Sequence, residues 1–502
     1  MRSNRAILNF ISSFSRTIVA TLLSLATTPL ILNSLGDERF GAYRLLLDWL
    51  SHLGVLEFGL YSASLTILSK SATEGAESLR GTLKLIFKNY GYVFIAQVGF
   101  FIVFFFFVDR LIPVSFQLQN ELRISALIMS VSLLFLVSQI FKAYLEAIQK
   151  GYLVSLTLVL FNIIFLLQCT LFAYWKWGLW GQVIAYVSSL LISFIALVAL
   201  APEVIKYLVS PLKTTVPRQL LKNQRFSHFI NELCSRISLM SDNIIISFFM
   251  GAGPVTAFFI TQKVGNMMQQ QLQHLSNSSW AALSELHYQG KHEQFNKRVL
   301  DLTELIAFSS GVILSIVCLL NFSFVTLWTG ADTFSGSTVT NLTAINAALF
   351  SILSLWSWCF AATNLTQKMV TMSIAQGVVN IIASVMLTSY LGITGPLYGT
   401  LIGYVGVSLF WKSTVLCKTF KINFFKLTLS WFKPLVPPLG AMLVYLSMYG
   451  SPHLDSWLTL FTMAILSTSV LSLVCYFTLL STENKTLLKN VVLSLKKKVL
   501  KI

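Results

Sequence analysis

Fourteen apolar runs, each long enough to cross a bilayer, occupy nearly the whole of this 502-residue chain. They cover approximately residues 6–34, 42–69, 83–108, 121–147, 152–174, 178–200, 226–250, 254–284, 299–328, 338–360, 369–390, 394–416, 430–449 and 456–480. A helix needs about 20 apolar residues to span the hydrocarbon, and in lipid a spanning segment must satisfy its own backbone groups. No soluble domain fits between the runs. Charged residues make up 11% of the chain, against about 25% in soluble domains. The expected fold is therefore an all-α polytopic membrane protein with about fourteen transmembrane helices.

Arg2 and Arg5 precede the first run in the manner of a signal peptide. That run is too long, however, and Arg16 interrupts it, so it reads as a retained first helix. The net charge of +17 does not mark a nucleic-acid binder. With the N-terminus in the cytoplasm and the runs alternating, 28 of the 36 Lys and Arg fall on the cytoplasmic side. Five fall outside (Arg39, Arg44, Arg110, Arg123, Lys176) and three inside helices (Arg16, Arg236, Lys263). This is the positive-inside bias, and fourteen runs then put both termini in the cytoplasm. The basic tail KKKVLKI is a topology signal first and a site of attraction to anionic lipid second. The six cysteines (Cys169, Cys234, Cys318, Cys359, Cys417, Cys475) have neither metal-ligand nor disulfide-framework spacing. The stretch ELHYQGKHE (285–293) holds two histidines and reads as a basic cytoplasmic turn, so no metal site and no cofactor are expected.

The longest polar connection, 201–225, has three prolines and five cations. It divides a first lobe (1–200) from a second (226–416), followed by two further helices (417–480) and a basic tail (481–502). A short internal repeat supports that division. Aligning Gly36 with Gly251 pairs Ala42 with Ala257 and Asp48 with Lys263. Six runs separate the copies, so both cross the membrane in the same direction, the parallel repeat of some transporters.

The stretch TPLILNSLGDERFGAYRLLLDWLSHLGVLEFGLYSASL (28–65) resembles the N-terminal signature of the polysaccharide transporter family, of the O-antigen flippase type, within the multidrug/oligosaccharidyl-lipid/polysaccharide exporter superfamily. The matching residues are Pro29, Leu35-Gly36, Asp37-Glu38, Phe40-Gly41 and Glu57-Phe58-Gly59-Leu60. SLMSDNIIISFFMGAGPVTAF (238–258) is similar to that family's seventh helix with its Ser-Asp pair. The resemblance implies two six-helix lobes facing each other in a V around a central cavity, with a C-terminal helical hairpin added here. It also implies export of a lipid-linked oligosaccharide.

Charges inside the membrane point to the site. Arg16, Arg236 and Lys263 facing lipid would cost on the order of 8–10 kcal/mol in all, so they must meet water or acids. Acids are present: Asp48 and Glu57 in the second run, Glu232 and Asp242 in the seventh. Glu232 and Arg236 are four apart and can pair. In the eighth run Lys263, Asn266, Gln270, His274 and Asn277 follow spacings of 3, 4, 4 and 3, one helical face. That stripe either lines a cavity or ties helices together. Arg16 offers a planar donor fork for a pyrophosphate headgroup, or else it pairs with Asp48 or Glu57.

The expected function is a flippase that moves an undecaprenyl-pyrophosphate-linked oligosaccharide, an O-antigen or capsular repeat unit, across the bacterial inner membrane by alternating access. Without a phosphate-binding loop, energy would come from an H+ or Na+ gradient, with Glu57, Asp242 or His274 as carriers. Partners would be the lipid-linked oligosaccharide, membrane lipids, a polysaccharide polymerase and chain-length machinery. Two other readings have less support. A multidrug exporter needs an anionic cavity, against which three buried cations argue. A membrane polymerase or glycosyltransferase needs a sizeable external loop or an Asp-x-Asp motif, and the sequence has neither. The chain is expected not to be an enzyme.

Overall fold

The computed structural model describes residues 2–57, 59–210, 241–363, 365–478, 480–481 and 484–485, with side chains described from Arg16 onward apart from Thr73, Leu275, Ser278 and Ala281. Every regular element among them is helical. In chain order these are α1 (Arg2–Leu35), α2 (Asp37–Leu53), α3 (Leu60–Glu74), α4 (Ala76–Leu111), α5 (Phe116–Ser130), α6 (Ser138–Ala147), α7 (Gly151–Tyr174), α8 (Gly178–Leu200) and α9 (Pro202–Val209). Then follow α10 (Ser241–Met250), α11 (Gly253–Ser278), α12 (Trp280–Tyr288), α13 (His292–Thr329), α14 (Ser337–Ala362) and α15 (Gln367–Leu391). The last are α16 (Gly395–Ile402), α17 (Phe410–Phe420), α18 (Phe424–Tyr449) and α19 (Trp457–Thr478).

Ten stretches are long and apolar enough to cross a membrane, and one of these, Gln367–Phe420, contains two passages, α15 and α16–α17. The broken pair α2–α3, the short apolar helix α10 and the polar pair α11–α12 fall outside that criterion. Among the described residues the helices are thus roughly consistent with the expected number of about fourteen. Hydropathy undercounts where a passage is interrupted or polar.

Packing divides the chain into a first unit, Met1–Thr256, and a second, Ala257–Ile502. In the first, α1 packs on α7, α7 on α8, and α3 against α4 and α6. Leu60, Leu68, Leu83, Ile86 and Ile140 are fully buried there. In the second, the 38-residue α13 is central and packs against α14, α18 and α19. Trp356 and Phe360 fill that core, and the Trp356 indole donates to Thr303 Oγ1 at 3.2 Å. The terminal hairpin α18–α19 docks on α13, where Gly311 admits α18. A Cβ at Gly311 would stand 2.7 Å from the Pro434 carbonyl oxygen. Large apolar side chains such as Ile382, Met386, Ile465 and Phe477 remain exposed along α15 and α19, the composition of a lipid-facing surface.

The second passage, expected as one continuous helix, is interrupted. Residues 54–57 form a short tight turn of 3-10 helix, and Gly59 takes φ +66°, a left-handed conformation that glycine adopts without strain. The break frees backbone groups in mid-membrane, and Gln97 Nε2 satisfies one by donating to the Leu53 carbonyl at 3.0 Å. Glu57 lies in this tight turn.

Candidate functional site

The first unit gathers ionisable side chains around that break. Arg16 on α1, Glu57 in the 3-10 turn, Tyr61 on α3, and Lys142 and Glu146 on α6 share one electrostatic neighbourhood. Lys142 senses Glu57, Glu146 and Arg16, and Tyr61 senses Glu146, Glu57 and Arg16. The Tyr61 hydroxyl is near the Glu146 carboxylate. All five residues are half-buried. Lys142 and Glu146 are four apart and so share a face of α6, while between them Tyr144 faces Glu203 and Tyr207 instead. Two cations and two carboxylates thus meet inside a membrane segment, around a helix interruption of the kind that lines transporter sites. Arg16 is grouped with Glu57, one of its two expected acids. Sequence reasoning assigned Lys142 and Glu146 to the cytoplasmic end of their run and missed them. Their signal was an oppositely charged pair four residues apart within 121–147.

Asp48 belongs to a second constellation in the same unit. It is 3% exposed. Arg44 Nη2 reaches its Oδ1 at 3.0 Å, and Asn243 Nδ2 donates to its Oδ2 at 2.7 Å. His52 Nδ1 stands 2.7 Å from the Asp48 carbonyl oxygen. The aspartate therefore finds its partners within its own unit, one a turn away and the other far along the chain on α10. Neighbouring Asp242 has a buried Oδ1 with no hydrogen-bond partner among the described residues. Arg236 and Glu232 lie outside the described residues.

In the second unit the polar stripe of α11 is on the open side of the helix. Asn266, Gln270 and Asn277 are exposed, and Lys263 and His274 are half-buried. The Lys263 ammonium lies 5.1 Å from the centroid of the Phe259 ring. The ties between helices come from the opposite face. Asn321 Nδ2 donates to the Thr261 carbonyl and to Thr340 Oγ1, both at 2.8 Å, and the Ser335 N–H donates to Thr261 Oγ1 at 2.8 Å. The stripe is thus open to water or a ligand, whereas Thr261, Gln262, Gln269 and Ser276 are buried against the unit.

The histidines of 285–293 serve packing. His287 lies edge-on to Phe420 with ring centroids 6.4 Å apart, and close to Phe295. Among the described residues no group of three or more His, Cys, Asp or Glu could hold a metal ion. The five described cysteines are buried and unpaired.

Solved structures share this architecture. A lipid II flippase, MurJ, in an inward closed conformation superposes with a TM-score of 0.70 at 17% identity, over 94% of this chain and 99% of its own. An inward-facing multidrug resistance MATE family transporter of the MOP superfamily gives 0.64 at 15%, over 82% and 98%. A point mutant of the Vibrio cholerae MATE transporter VcmN gives 0.56 at 14%, over 84% and 99%. At these identities the likeness is one of fold. No curated protein sequence matches the chain. The model of the polysaccharide biosynthesis protein family matches residues 7–281, more than half of the sequence. Sequence family and helical membrane fold agree, and the chain belongs to the polysaccharide biosynthesis protein family.

Proposed function

We propose that this protein moves an undecaprenyl-pyrophosphate-linked oligosaccharide, of O-antigen or capsular type, across the bacterial inner membrane by alternating access. The observation that carries the reading is the pair of cations within candidate membrane spans, Arg16 and Lys142, near the 3-10 turn of the second passage. A pyrophosphate crossing hydrocarbon needs its charge offset, and a guanidinium offers paired donors to phosphate oxygens. The sequence family and the fold shared with a lipid II flippase support a lipid-linked anion as cargo. The exposed stripe Lys263, Asn266, Gln270, His274 and Asn277 supplies hydrogen bonds suited to sugar hydroxyls. Arg236, Asp48 and Asp242 complete the proposed cavity set. The basic cytoplasmic segments support a topology with both termini in the cytoplasm. In this reading residues 1–200 and 226–416 are the two lobes, and the protein works beside a polymerase and chain-length machinery. Coupling to H+ or Na+ would run through Glu57, Asp242 or His274, carboxylates and an imidazole at intramembrane positions.

The test is surface glycan in a strain that depends on this protein, with membrane levels matched. Arg16→Ala should abolish the glycan, and Arg16→Lys should restore part of it. Normal glycan with Arg16→Ala would remove the residue from the site.

A further inference from the structure

The turn between α7 and α8 carries three tryptophans within six residues, Trp175, Trp177 and Trp180. Their rings gather on one another and on Phe172. Trp177 stacks on Phe172 with ring centroids 4.5 Å apart and planes 7° from parallel, and on Trp180 at 5.3 Å and 18°. Trp175 leans on Trp177 at 5.7 Å and on Phe172 at 5.9 Å. Phe172 and Trp177 are half-buried supports, whereas Trp175 and Trp180 are 50% and 37% exposed. The backbone is bent to hold this arrangement. Lys176 takes φ +57°, a left-handed conformation that strains any residue with a side chain, and Gly178 takes φ +65°. Gly181 leaves room for Trp177, since a Cβ there would stand 2.6 Å from the Trp177 Cβ.

A polar pair is fixed at the foot of the turn. Glu121 Oε1 accepts the Leu179 N–H, and its Oε2 accepts from Arg39 Nε at 3.0 Å. Glu121 also sits against Gly178, where a Cβ would collide with its carboxylate. The Arg39 side chain is exposed, and its outer N–H groups make no hydrogen bond among the described residues. Tryptophans that only anchor a helix end at the membrane boundary need neither mutual stacking nor a strained turn. Exposed aromatic faces beside a guanidinium and a carboxylate are groups that suit a sugar. The ring face is negative and attracts the polarised C–H groups on one side of a pyranose. The charged pair hydrogen-bonds the hydroxyls at its rim.

We propose that Trp175 and Trp180, with the Arg39–Glu121 pair, form a glycan-binding site that takes a pyranose unit of the cargo's oligosaccharide. Under the topology proposed above, the turn lies on the outer side of the membrane, where the glycan emerges. The proposal rests on the reading of the cargo as a lipid-linked oligosaccharide.

The experiment is a ligand-observed NMR titration of the full-length protein in detergent. The probe is the lipid-free repeat-unit oligosaccharide released from the surface glycan of the strain that depends on this protein. Thermal unfolding of each variant is recorded alongside. Wild type should bind the probe, and Trp175→Ala and Trp180→Ala should each weaken binding about tenfold. Trp180→Tyr, which keeps an aromatic face, should stay within about threefold of wild type. Arg39→Gln leaves every ring in place and should weaken binding about fivefold. Should an alanine variant unfold early, Trp180→Leu keeps an apolar side chain at the helix end and should lose binding as alanine does. No binding by wild type, or unchanged affinity in Trp175→Ala and Trp180→Ala, would overturn the glycan site and leave the cargo reading standing. Full surface glycan in a strain that lacks the protein would overturn the cargo reading, on which the site depends.

Discussion

The two units bury polar groups in different ways. In the first, intramembrane charges of both signs are set against each other: Arg44 with Asp48, and Arg16 and Lys142 with Glu57 and Glu146. In the second, the buried interior is held by neutral groups. Asn321 joins Thr261 to Thr340, Asn380 donates to Thr400 Oγ1 at 2.8 Å, and Asn346 donates to the Leu397 carbonyl at 2.9 Å. Its half-buried Lys412 has a hydroxyl and a carbonyl for company, Ser357 Oγ at 2.9 Å and Leu353 O at 3.4 Å. Neutral ties make a unit rigid. Compensated charges also make it responsive, because a charged visitor competes with every pair. The contrast therefore suggests that the first unit is the part that senses the cargo's charge.

The largest effect that could break this comparison is expected at Asp48. Asp48→Ala strips the partner from Arg44 and from Asn243 Nδ2, and should destabilise the detergent-solubilised protein by about 3 kcal/mol in thermal or denaturant unfolding. A loss below about 1 kcal/mol would mean that the charges of the first unit are as dispensable as surface pairs. Lys412→Met should act in the opposite sense. It removes a half-buried cation that has no acid beside it among the described residues, and should raise stability by about 1 kcal/mol with the helices still packed. Destabilisation there would assign the second unit a charge balance of its own. The smallest effect belongs to the exposed stripe. Asn266→Ala combined with Gln270→Ala should alter stability by less than about 0.5 kcal/mol while lowering glycan export. A large loss of stability would return the stripe to a packing role.

Much of this was legible in the sequence, because hydrocarbon imposes a simple length rule. The all-helical membrane fold, the glycine-marked turns after Leu35 and Met250, and the polar face of α11 all follow from hydropathy and helical periodicity. The break within 42–69 did not, although Gly54 and Gly59 flank it, because the run is apolar on balance despite Arg44, Asp48, His52 and Glu57, and mean apolarity dominates a hydropathy reading. Lys142 and Glu146 were assigned to water because they stand near the end of their run. Arg44 was read as part of an external turn, whereas α2 begins at Asp37 and carries it a turn from Asp48. The Asp48–Asn243 contact joins residues 195 apart in sequence, and a pairing at that distance leaves no trace in composition or spacing. The internal repeat offered Lys263 as the partner of Asp48 by position alone. The structure supplies Arg44 and Asn243, which satisfy the carboxylate inside the first unit.

The interruption after Leu53 has a mechanical side. A continuous helix resists bending because every turn is laced to the next, but here the α-helical lacing gives way to a short 3-10 turn and the Leu53 carbonyl is tied to Gln97. The rod beyond the cut, α3, has 15 residues and is therefore about 22 Å long. Pivoting it by about 10° about the joint would carry its far end roughly 4 Å with no backbone hydrogen bond of its own broken. Tyr61 lies in the first turn of that rod and Glu57 in the joint, so the same rotation would turn both groups while translating neither very far. A lever hinged at its charged end delivers displacement to the membrane surface and leverage to the ions.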